Sequence, residues 1–501
     1  MNDQSALVRT DRGLVRGTTV STRSGAVHAF LGIPFAGGLR GPSRFAAPST
    51  VSPWDGERPA VQHGPTPIQS PYARPTSALL DSVIVPGADA LNLSVWTPDP
   101  GANRLPVMVW IHGGAFVRGT HRLPTYDGTA FARDGVVLVG INYRLGVTGF
   151  LSVDGAPDNR GLLDQIAALR WVQTNIAAFG GDPDRVTVFG ESAGAMSIAA
   201  LLASPAAQGL FARAILQSGN AVAAAEQADA RLVTAEYARV LGVEPTAEAL
   251  GAVSDDDLLQ AQDRLALAVV GGPEPSRWGA TVIARGLGVM SQFPTIDADV
   301  LPTVPIDGIT STSVDILAGT TREEFRFFLV PTGLAGMVTA EMMPMLLARF
   351  GVDPAVVATY RRNRPAATEG DVLCALLTDH AFRSPTAQLV DMVARSRTAR
   401  AWQYEFAWRT TVSDLGSCHA LELPFVFDTL GGSAKFTGEN PPQVLADEMH
   451  STWVRFATDG EPGWAPVGSV RPVRVFGDPD PGAPTIAIDP RADELGLSSV
   501  R

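Results

Sequence analysis

The feature of this sequence that points most directly to chemistry is a serine between glycines. Residues 186–194 read VTVFGESAG, in which a strand-like run enters a Gly-x-Ser-x-Gly pattern centred on Ser192, and a helix-compatible run follows. Such a turn between strand and helix is tight and strained, and it projects the serine from the end of a sheet. The helix N-terminus behind the serine favours developing negative charge. The pattern predicts a catalytic nucleophile, and an ordinary glycine-rich turn is the alternative.

A second glycine-rich segment lies upstream, where residues 111–116 read IHGGAF directly after an apolar run. Acyl transfer passes through an oxyanion, and backbone N–H groups must reach that oxyanion without side chains in the way. We expect the N–H groups of Gly113, Gly114 and Ala193 to form this oxyanion hole. We expect His112 to support the loop structurally, and a plain Gly-Gly turn is the alternative.

Three histidines follow the serine and are candidate general bases. His380 and His450 fall in helix-like stretches, where a satisfied core or surface histidine is common. His419 lies in a loop-like segment, residues 413–421, just after a candidate strand. A loop beyond a late strand can reach back over the sheet to Ser192, so the sequence favours His419.

The third member of such a triad is a carboxylate, which in this chain order falls between the serine and the histidine. Residues 315–325 read DILAGTTREEF, a short strand followed by two adjacent carboxylates, Glu323 and Glu324. Position alone does not separate these two, and a charged surface loop is equally compatible. Asp299 and Asp414 are weaker alternatives.

Short apolar runs that alternate with helix-like stretches must position these groups. Several of the runs are apolar throughout, which is typical of strands buried on both faces of a parallel sheet covered by helices. The candidate strands are residues 91–96, 106–111, 136–142, 186–189, 214–217, 316–318 and 402–408.

Helical spacing of apolar residues predicts a helix over residues 162–179. Residues 221–290 and 331–400 are predicted to be mainly helical insertions that could roof a pocket. Proline and glycine are frequent over residues 34–75, which predicts irregular surface structure. We expect an α/β fold with a central, mostly parallel sheet, and a single domain over residues 1–501.

Composition narrows the possible functions. Of the 501 residues, 45% are hydrophobic and 18% are charged, as in an ordinary globular protein with a large core. The net charge of −12 argues against nucleic acids and anionic membranes as partners. We see no transmembrane run and no secretory signal. The two cysteines, Cys374 and Cys418, form no disulfide framework or zinc pattern, so we expect a cytoplasmic protein without metal or cofactor.

Taken together, these motifs resemble the type-B carboxylesterase family over about residues 13–466. Residues 179–194, FGGDPDRVTVFGESAG, are similar to the whole serine signature of that family. The resemblance implies an α/β-hydrolase fold with helical insertions over the active site, and a serine carboxylesterase that works through an acyl-serine intermediate. Further similar segments are residues 30–36, 91–98, 142–151, 161–165, 217–219, 422–427 and 453–462.

The resemblance also implies the acid and the base. The family acid is the glutamate of an Asp-Glu-Gly triplet, matched here by residues 323–325, so Glu324 is the implied acid and Phe325 replaces the glycine. The family histidine lies in a segment matched by residues 416–423, which implies His419 as the base, with an alanine in place of the glycine that usually follows.

The substrate is less well defined by sequence. We expect a small to medium uncharged ester, because residues 77–90 lack the tryptophan with which cholinesterases bind choline. The alternatives are a lipase, amidase or lactonase with the same triad, or a non-catalytic cholinesterase-like binding module. Five aromatic residues are candidates to line the substrate pocket: Phe116, Trp278, Phe325, Phe328 and Trp408. Core packing is the commoner role for each of them.

Overall fold

The computed structural model describes residues 6–23, 25–396, 398–480, 482–483 and 485–495. The strands are β1 (Leu7–Arg9), β2 (Leu14–Arg16), β3 (Thr18–Thr22), β4 (Gly25–Pro34), β5 (Glu57–Pro59), β6 (Asn92–Thr97), β7 (Leu105–Ile111), β8 (Val137–Ile141), β9 (Gly181–Glu191), β10 (Arg213–Gln217), β11 (Asp315–Thr321), β12 (Ala401–Phe406), β13 (Pro472–Phe476) and β14 (Ile486–Ile488).

The helices follow the same chain order, and a π-helical turn, Asp379–Arg383, separates α15 from α16. They are α1 (Thr129–Arg133), α2 (Gly146–Phe150), α3 (Arg160–Asn175), α4 (Ala193–Ala203), α5 (Gln227–Leu241), α6 (Ala247–Gly251), α7 (Asp255–Gly271), α8 (Pro275–Trp278), α9 (Ala280–Arg285), α10 (Pro305–Gly308), α11 (Arg326–Leu329), α12 (Leu334–Met337), α13 (Met343–Ala348), α14 (Val357–Asn363), α15 (Glu369–Thr378), α16 (Ser384–Ser396), α17 (Leu423–Val426), α18 (Ala434–Thr437) and α19 (Gln443–Asp459).

One large sheet organises the described residues. Its eleven strands run in the order β14-β13-β12-β11-β10-β9-β7-β8-β6-β4-β3. The strands from β8 to β13 in this order pair in parallel, and the antiparallel pairs lie towards the two edges. The prediction of a central, mostly parallel sheet is therefore confirmed.

The seven predicted strands correspond to β6 through β12 and differ from them only at their ends. The sequence analysis missed the outer strands, because most of them have only three to five residues and the ten-residue β4 is interrupted by His28 and Gly32. For example, β3 has no buried residue and β14 is half-buried to exposed. The predicted helix over residues 162–179 is confirmed as α3 followed by the 3₁₀ turn Ile176–Phe179.

Side chains alternate between the two faces of the sheet, as a strand requires. On β7, Val107, Val109 and Ile111 enter the hydrophobic cluster that contains α3 and α4, whereas Met108 and Trp110 enter the cluster that contains α1 and α19. Both faces of the central strands are therefore covered, which explains why these strands are apolar throughout.

Outside the sheet, α5 to α9 lie within residues 221–290, and α12 to α16 lie within residues 331–400.

The prediction of surface structure over residues 34–75 is wrong at several positions: Phe45 and Ala60 are each 1% exposed. Phe45 is buried because it packs under the guanidinium of Arg160. No helix in the described part of the chain is long and apolar enough to span a membrane.

A buried ion pair joins the segment before α2 to α3. Arg144 and Asp164 are 1% and 0% exposed, and the guanidinium donates from Nε and Nη2 to both carboxylate oxygens at 2.8 and 2.7 Å. The Arg144 backbone N–H also donates to Asp164, and Nη1 donates to the carbonyl of Ala46 at 2.6 Å. Removal of one partner would leave the other charge buried and unpaired.

We expect Asp164→Asn to destabilise the protein by about 3–5 kcal/mol, because it leaves the Arg144 guanidinium without its counter-charge. The measurement is the urea unfolding midpoint. A matched control is Glu369→Gln, which breaks the exposed Arg361–Glu369 pair at 2.7 Å and should cost at most about 1 kcal/mol. Equal midpoints for the two variants would show that the buried pair does not stabilise this junction.

Candidate active site

The candidate site is a cavity of about 210 Å³ that contains Ser192 and His419 among its lining residues. The segments that carry the predicted site residues follow β7, β9, β11 and β12. Since neighbouring strands in this part of the sheet are parallel, their carboxyl ends meet at one edge. This topology brings together residues that lie more than 200 positions apart in the chain.

Ser192 occupies a strained turn between β9 and α4. Its φ and ψ are 55° and −122°, a conformation that side chains other than glycine seldom adopt. A Cβ atom on Gly190 would lie 2.6 Å from the carbonyl oxygen of Ile111, and one on Gly194 would lie 2.0 Å from the same oxygen. The two glycines of the motif are therefore required by the close approach of the turn to the end of β7.

The segment after β7 lies against this turn. A Cβ on Gly113 would lie 2.7 Å from the Glu191 carbonyl oxygen, and Gly114 has a φ of +110°. Both glycines line the cavity with Ser192. Ala193, the third predicted oxyanion donor, is the first residue of α4 and is fully buried. Gly113 and Ala193 thus lie next to Ser192, and Gly114 lines the same cavity.

His112 is held inside the oxyanion loop. Its ring stacks on Tyr143 at 4.5 Å, and the Tyr143 hydroxyl donates to the His112 carbonyl at 2.8 Å. Burial lowers the pKa of His112 to about 4, so the ring is neutral. These contacts agree with a structural role for His112.

Whereas His450 lies 3.1 Å from the partly exposed carboxylate of Asp134, His419 contacts a fully buried carboxylate. Its Nδ1–H donates to Oε2 of Glu324 at 2.6 Å. His450 instead contacts the Val426 carbonyl from α19. His380 lies in the π-helical turn near Phe350.

The two adjacent carboxylates have different environments. Glu324 is fully buried, and its second oxygen, Oε1, accepts from the backbone N–H of Thr321 at 2.8 Å. Glu323 turns away, pairs with Arg409 at 2.7 Å and accepts from the Ser417 backbone N–H. Tertiary structure therefore separates two residues that chain position left equivalent. The weaker candidates are elsewhere, since Asp414 pairs with Arg326 and Asp299 is an exposed loop residue.

Phe325 and Ala420 stand where the family motifs have glycine, and the two positions differ in backbone strain. Phe325 has a φ of −71°, so the backbone here does not need glycine, and its ring packs on Phe328 and Phe382. Ala420, by contrast, has a φ of 66°, where glycine would be unstrained. The acid loop thus tolerates its substitution better than the histidine loop does.

A further carboxylate, Glu191, contacts the histidine. Its Oε1 lies 3.0 Å from Nε2 of His419, and both groups are buried. Burial raises the pKa of Glu191 by more than His419 lowers it. Burial lowers the pKa of His419, but the carboxylates of Glu191 and Glu324 outweigh burial and raise this pKa well above its usual value.

Glu422 extends this acidic cluster. It accepts from Nε2 of Gln217 at 3.0 Å and is fully buried. Burial, together with the charges of Glu191 and Glu324, raises the pKa of Glu422 to about 8. At neutral pH Glu422 is therefore mostly protonated, which limits the negative charge around His419.

Of the five aromatic residues predicted to line the pocket, only Phe328 does so. Phe116, Trp278 and Phe325 are buried in the core and the half-buried Trp408 packs against it, which corrects the prediction. Phe116 packs on Phe150, and Phe325 packs behind Phe328. Trp278 is fully buried with its Nε1–H donating to the Gly272 carbonyl, and Trp408 packs on Phe425.

The cavity is instead lined by residues that sequence analysis did not identify. Phe382, which was not predicted, lies with its ring centre 5.0 Å from that of His419 on a tilted plane, next to the predicted Phe328 at 5.3 Å. Among the missed lining residues, Glu191 lies inside the serine motif, which could have indicated its place in the site. The other missed lining residues are Tyr72, Leu79, Leu80, Leu123, Tyr126, Met196, Leu287, Met290, Phe327 and Phe436.

No group of three or more potential metal ligands is arranged to hold an ion within the described residues. The site consists of protein groups suited to nucleophilic attack, proton transfer and stabilisation of an oxyanion. This combination is the one that acyl transfer through a serine requires.

Comparison with known proteins agrees with this chemistry. The model of the carboxylesterase family matches residues 4–470. The chain is 38% identical over 475 residues to the para-nitrobenzyl esterase of Bacillus subtilis (strain 168), an alignment that covers 91% of this chain and 90% of that protein. It is 34% identical to the phenmedipham hydrolase of Pseudarthrobacter oxydans, with 87% of each chain covered.

Solved structures give the same result. A carboxylesterase of Geobacillus stearothermophilus superposes with a TM-score of 0.82 at 34% identity, and the match covers 98% of this chain and 99% of that chain. The mostly parallel sheet with flanking helices is thus the α/β-hydrolase fold. By its family match, its relatives and its fold, the chain belongs to the carboxylesterase family.

Proposed function

We propose that Ser192, Glu324 and His419 form a catalytic triad that hydrolyses small, uncharged carboxylic esters. The oxyanion hole in this proposal consists of the backbone N–H groups of Gly113, Gly114 and Ala193. The observation that carries the proposal is the 2.6 Å hydrogen bond from His419 to the buried Glu324, in a cavity that His419 shares with Ser192.

The reaction proceeds in two halves. His419 accepts the hydroxyl proton of Ser192 as its Oγ attacks the ester carbonyl, and Glu324 stabilises the imidazolium that forms. The tetrahedral intermediate collapses, His419 gives the proton to the departing alcohol, and an acyl-serine remains. Water, deprotonated by His419, then attacks the acyl-serine; His419 returns the proton to the departing Oγ of Ser192, and the carboxylic acid is released.

The cavity wall supports an ester with an apolar body. Most of the lining side chains near Ser192 are aliphatic or aromatic, among them Met196, Phe327 and Phe328. The related enzymes named above are an esterase and a hydrolase of small molecules. Lipase, amidase and lactonase activities use the same groups, and a series of model substrates distinguishes them.

We also infer one catalytic domain that works in the cytoplasm, with no nucleic acid or membrane partner. The helical segments over residues 221–290 and 331–400 contribute Leu287, Met290 and Phe382 to the cavity, which supports their role as its roof. Cys374 and Cys418 are both free and buried, which fits a reducing compartment.

Replacement of the nucleophile tests the proposal directly. We expect Ser192→Ala to lower kcat/KM for p-nitrophenyl butyrate by about 10³-fold or more, because no other group in the site can form the acyl intermediate. The measurement is release of p-nitrophenol from acetate, butyrate and octanoate esters. Equal inactivity of the wild type and the variant on all three esters would favour a non-catalytic binding module instead.

The neighbouring glutamates give a matched pair of variants. We expect Glu324→Gln to lower kcat by about 10²- to 10⁴-fold, because the amide no longer stabilises the imidazolium. Glu323→Gln weakens contacts to Arg409 and the Ser417 backbone N–H, neither of which involves His419, and should retain kcat within about fivefold. Steady-state kinetics of both variants check this, and a larger loss in Glu323→Gln than in Glu324→Gln would assign the acid to Glu323.

The pH dependence follows from the charge around His419. A general base must be neutral, so activity falls as the pH drops through the raised pKa of His419. We expect Glu191→Gln to lower that pKa, because one of the carboxylates that stabilise the imidazolium is removed. The acid limb of the kcat/KM profile should then move to lower pH, whereas Glu369→Gln should leave it in place. A shift to higher pH would contradict this role of Glu191.

A further inference from the structure

The wall of the catalytic cavity carries one exposed ion pair. Lys435 contacts Asp81, and both residues line the same cavity as Ser192 and His419. Their side chains are 39% and 59% exposed, so the pair lies on the solvent side of the cavity. Lys435 is also the only lysine in the 501-residue sequence.

The pair connects two parts of the cavity wall that are 354 residues apart in the chain. Asp81 belongs to the loop after the 3₁₀ turn Thr76–Ala78, and Lys435 belongs to α18. The adjacent lining residues Leu80 and Phe436 are apolar. The two charges therefore stand opposite each other within a wall that is otherwise largely hydrophobic.

The other charged lining residues are already engaged. Arg118 pairs with Asp263 at 3.0 Å and donates from Nε to the Ser70 carbonyl. Glu191 is buried against His419. Among the described lining residues, Asp81 and Lys435 are thus the charged groups most available to a substrate that enters from solvent.

An exposed ion pair contributes little to stability, so an incoming charge can compete for either partner. If one partner is removed, the remaining charge is uncompensated beside an apolar wall, where the lower dielectric strengthens its field. Although Asp81 and Lys435 each carry a full charge, the intact pair leaves the solvent side of the cavity nearly neutral.

We propose that the Asp81–Lys435 pair determines which charge an ester can carry at the solvent side of the cavity. In the intact pair each charge neutralises the other, and the site selects neutral esters. Loss of Asp81 makes the site prefer esters with a distal carboxylate, and loss of Lys435 makes it prefer esters with a distal ammonium group. This inference rests on the proposed ester hydrolysis at Ser192.

The test compares three p-nitrophenyl esters of equal chain length: octanoate, the half-ester of octanedioic acid, and 8-trimethylammonio-octanoate. A second series places the same charges on the alcohol side of a butyrate ester. In Asp81→Asn, the kcat/KM ratio of carboxylate to neutral ester should rise about fivefold or more. In Lys435→Gln, the ratio of ammonium to neutral ester should rise to a similar extent.

Two controls separate local from general charge effects. Glu57→Gln removes one negative charge from the exposed Arg16–Glu57 pair, whose residues do not line the cavity, and should leave all ratios within about twofold. The exchange Asp81→Lys with Lys435→Asp rebuilds the pair in reverse and should restore the neutral preference. Salt at about 0.5 M should reduce the effects in the single variants, because it screens exposed charges.

The single lysine allows the same test without mutation. Acetylation neutralises amines, and in this sequence the amines are the Lys435 side chain and the amino terminus. Acetylated wild type should acquire the substrate ratios of Lys435→Gln, and acetylated Lys435→Gln should not change further.

The inference is overturned if both series give ratios within twofold of wild type in both single variants while the octanoate ester is still hydrolysed. If no ester is hydrolysed by wild type, the proposed function itself fails. These outcomes are distinct, because the neutral ester reports on the triad and the ratios report on the ion pair.

Discussion

The close contact between the turn at Ser192 and the end of β7 is the constraint on which the site depends. The carbonyl oxygen of Ile111 lies where a Cβ on either flanking glycine of the motif would have to lie. This contact sets the serine against the loop of Gly113 and Gly114, so that backbone packing brings together the groups that we propose as nucleophile and oxyanion donors. The cost is a strained serine, whose φ of 55° persists because β9 and α4 hold both ends of the turn.

The electrostatic environment of the histidine follows from the same packing. Glu191 and Glu324 contact His419, and Glu422 is close enough to interact with both carboxylates; all three glutamates are buried. Three ionised carboxylates in so small a volume would repel one another, and burial makes each charge more costly. The structure reduces the cost in different ways: Glu324 accepts two hydrogen bonds, Glu191 lies against the imidazole ring, and Glu422 holds its proton.

The outer part of the cavity has the opposite character. Its charges are exposed and paired across separate segments, so they are held weakly and are open to competition from solvent or substrate. We thus assign the proposed chemistry to buried, fixed groups and the proposed discrimination among substrates to residues at the solvent side. Phe325, which replaces a glycine at the acid loop, belongs to neither part, because it packs behind the cavity wall.

The sequence by itself determined the central strands, the serine turn, the glycine-rich loop and the preferred histidine, because each has a local pattern with a physical cause. Continuous apolar runs predict strands buried on both faces, and paired glycines predict close backbone contact. Chain position left the two adjacent glutamates equivalent and only the family resemblance implied Glu324; the tertiary structure shows that Glu324 faces His419, since the two side chains point in different directions. Tertiary structure also decided the lining of the cavity, which four of the five predicted aromatic residues do not join. A pocket wall is formed by segments far apart in the chain, and side chains that meet there leave no periodic signal in the sequence.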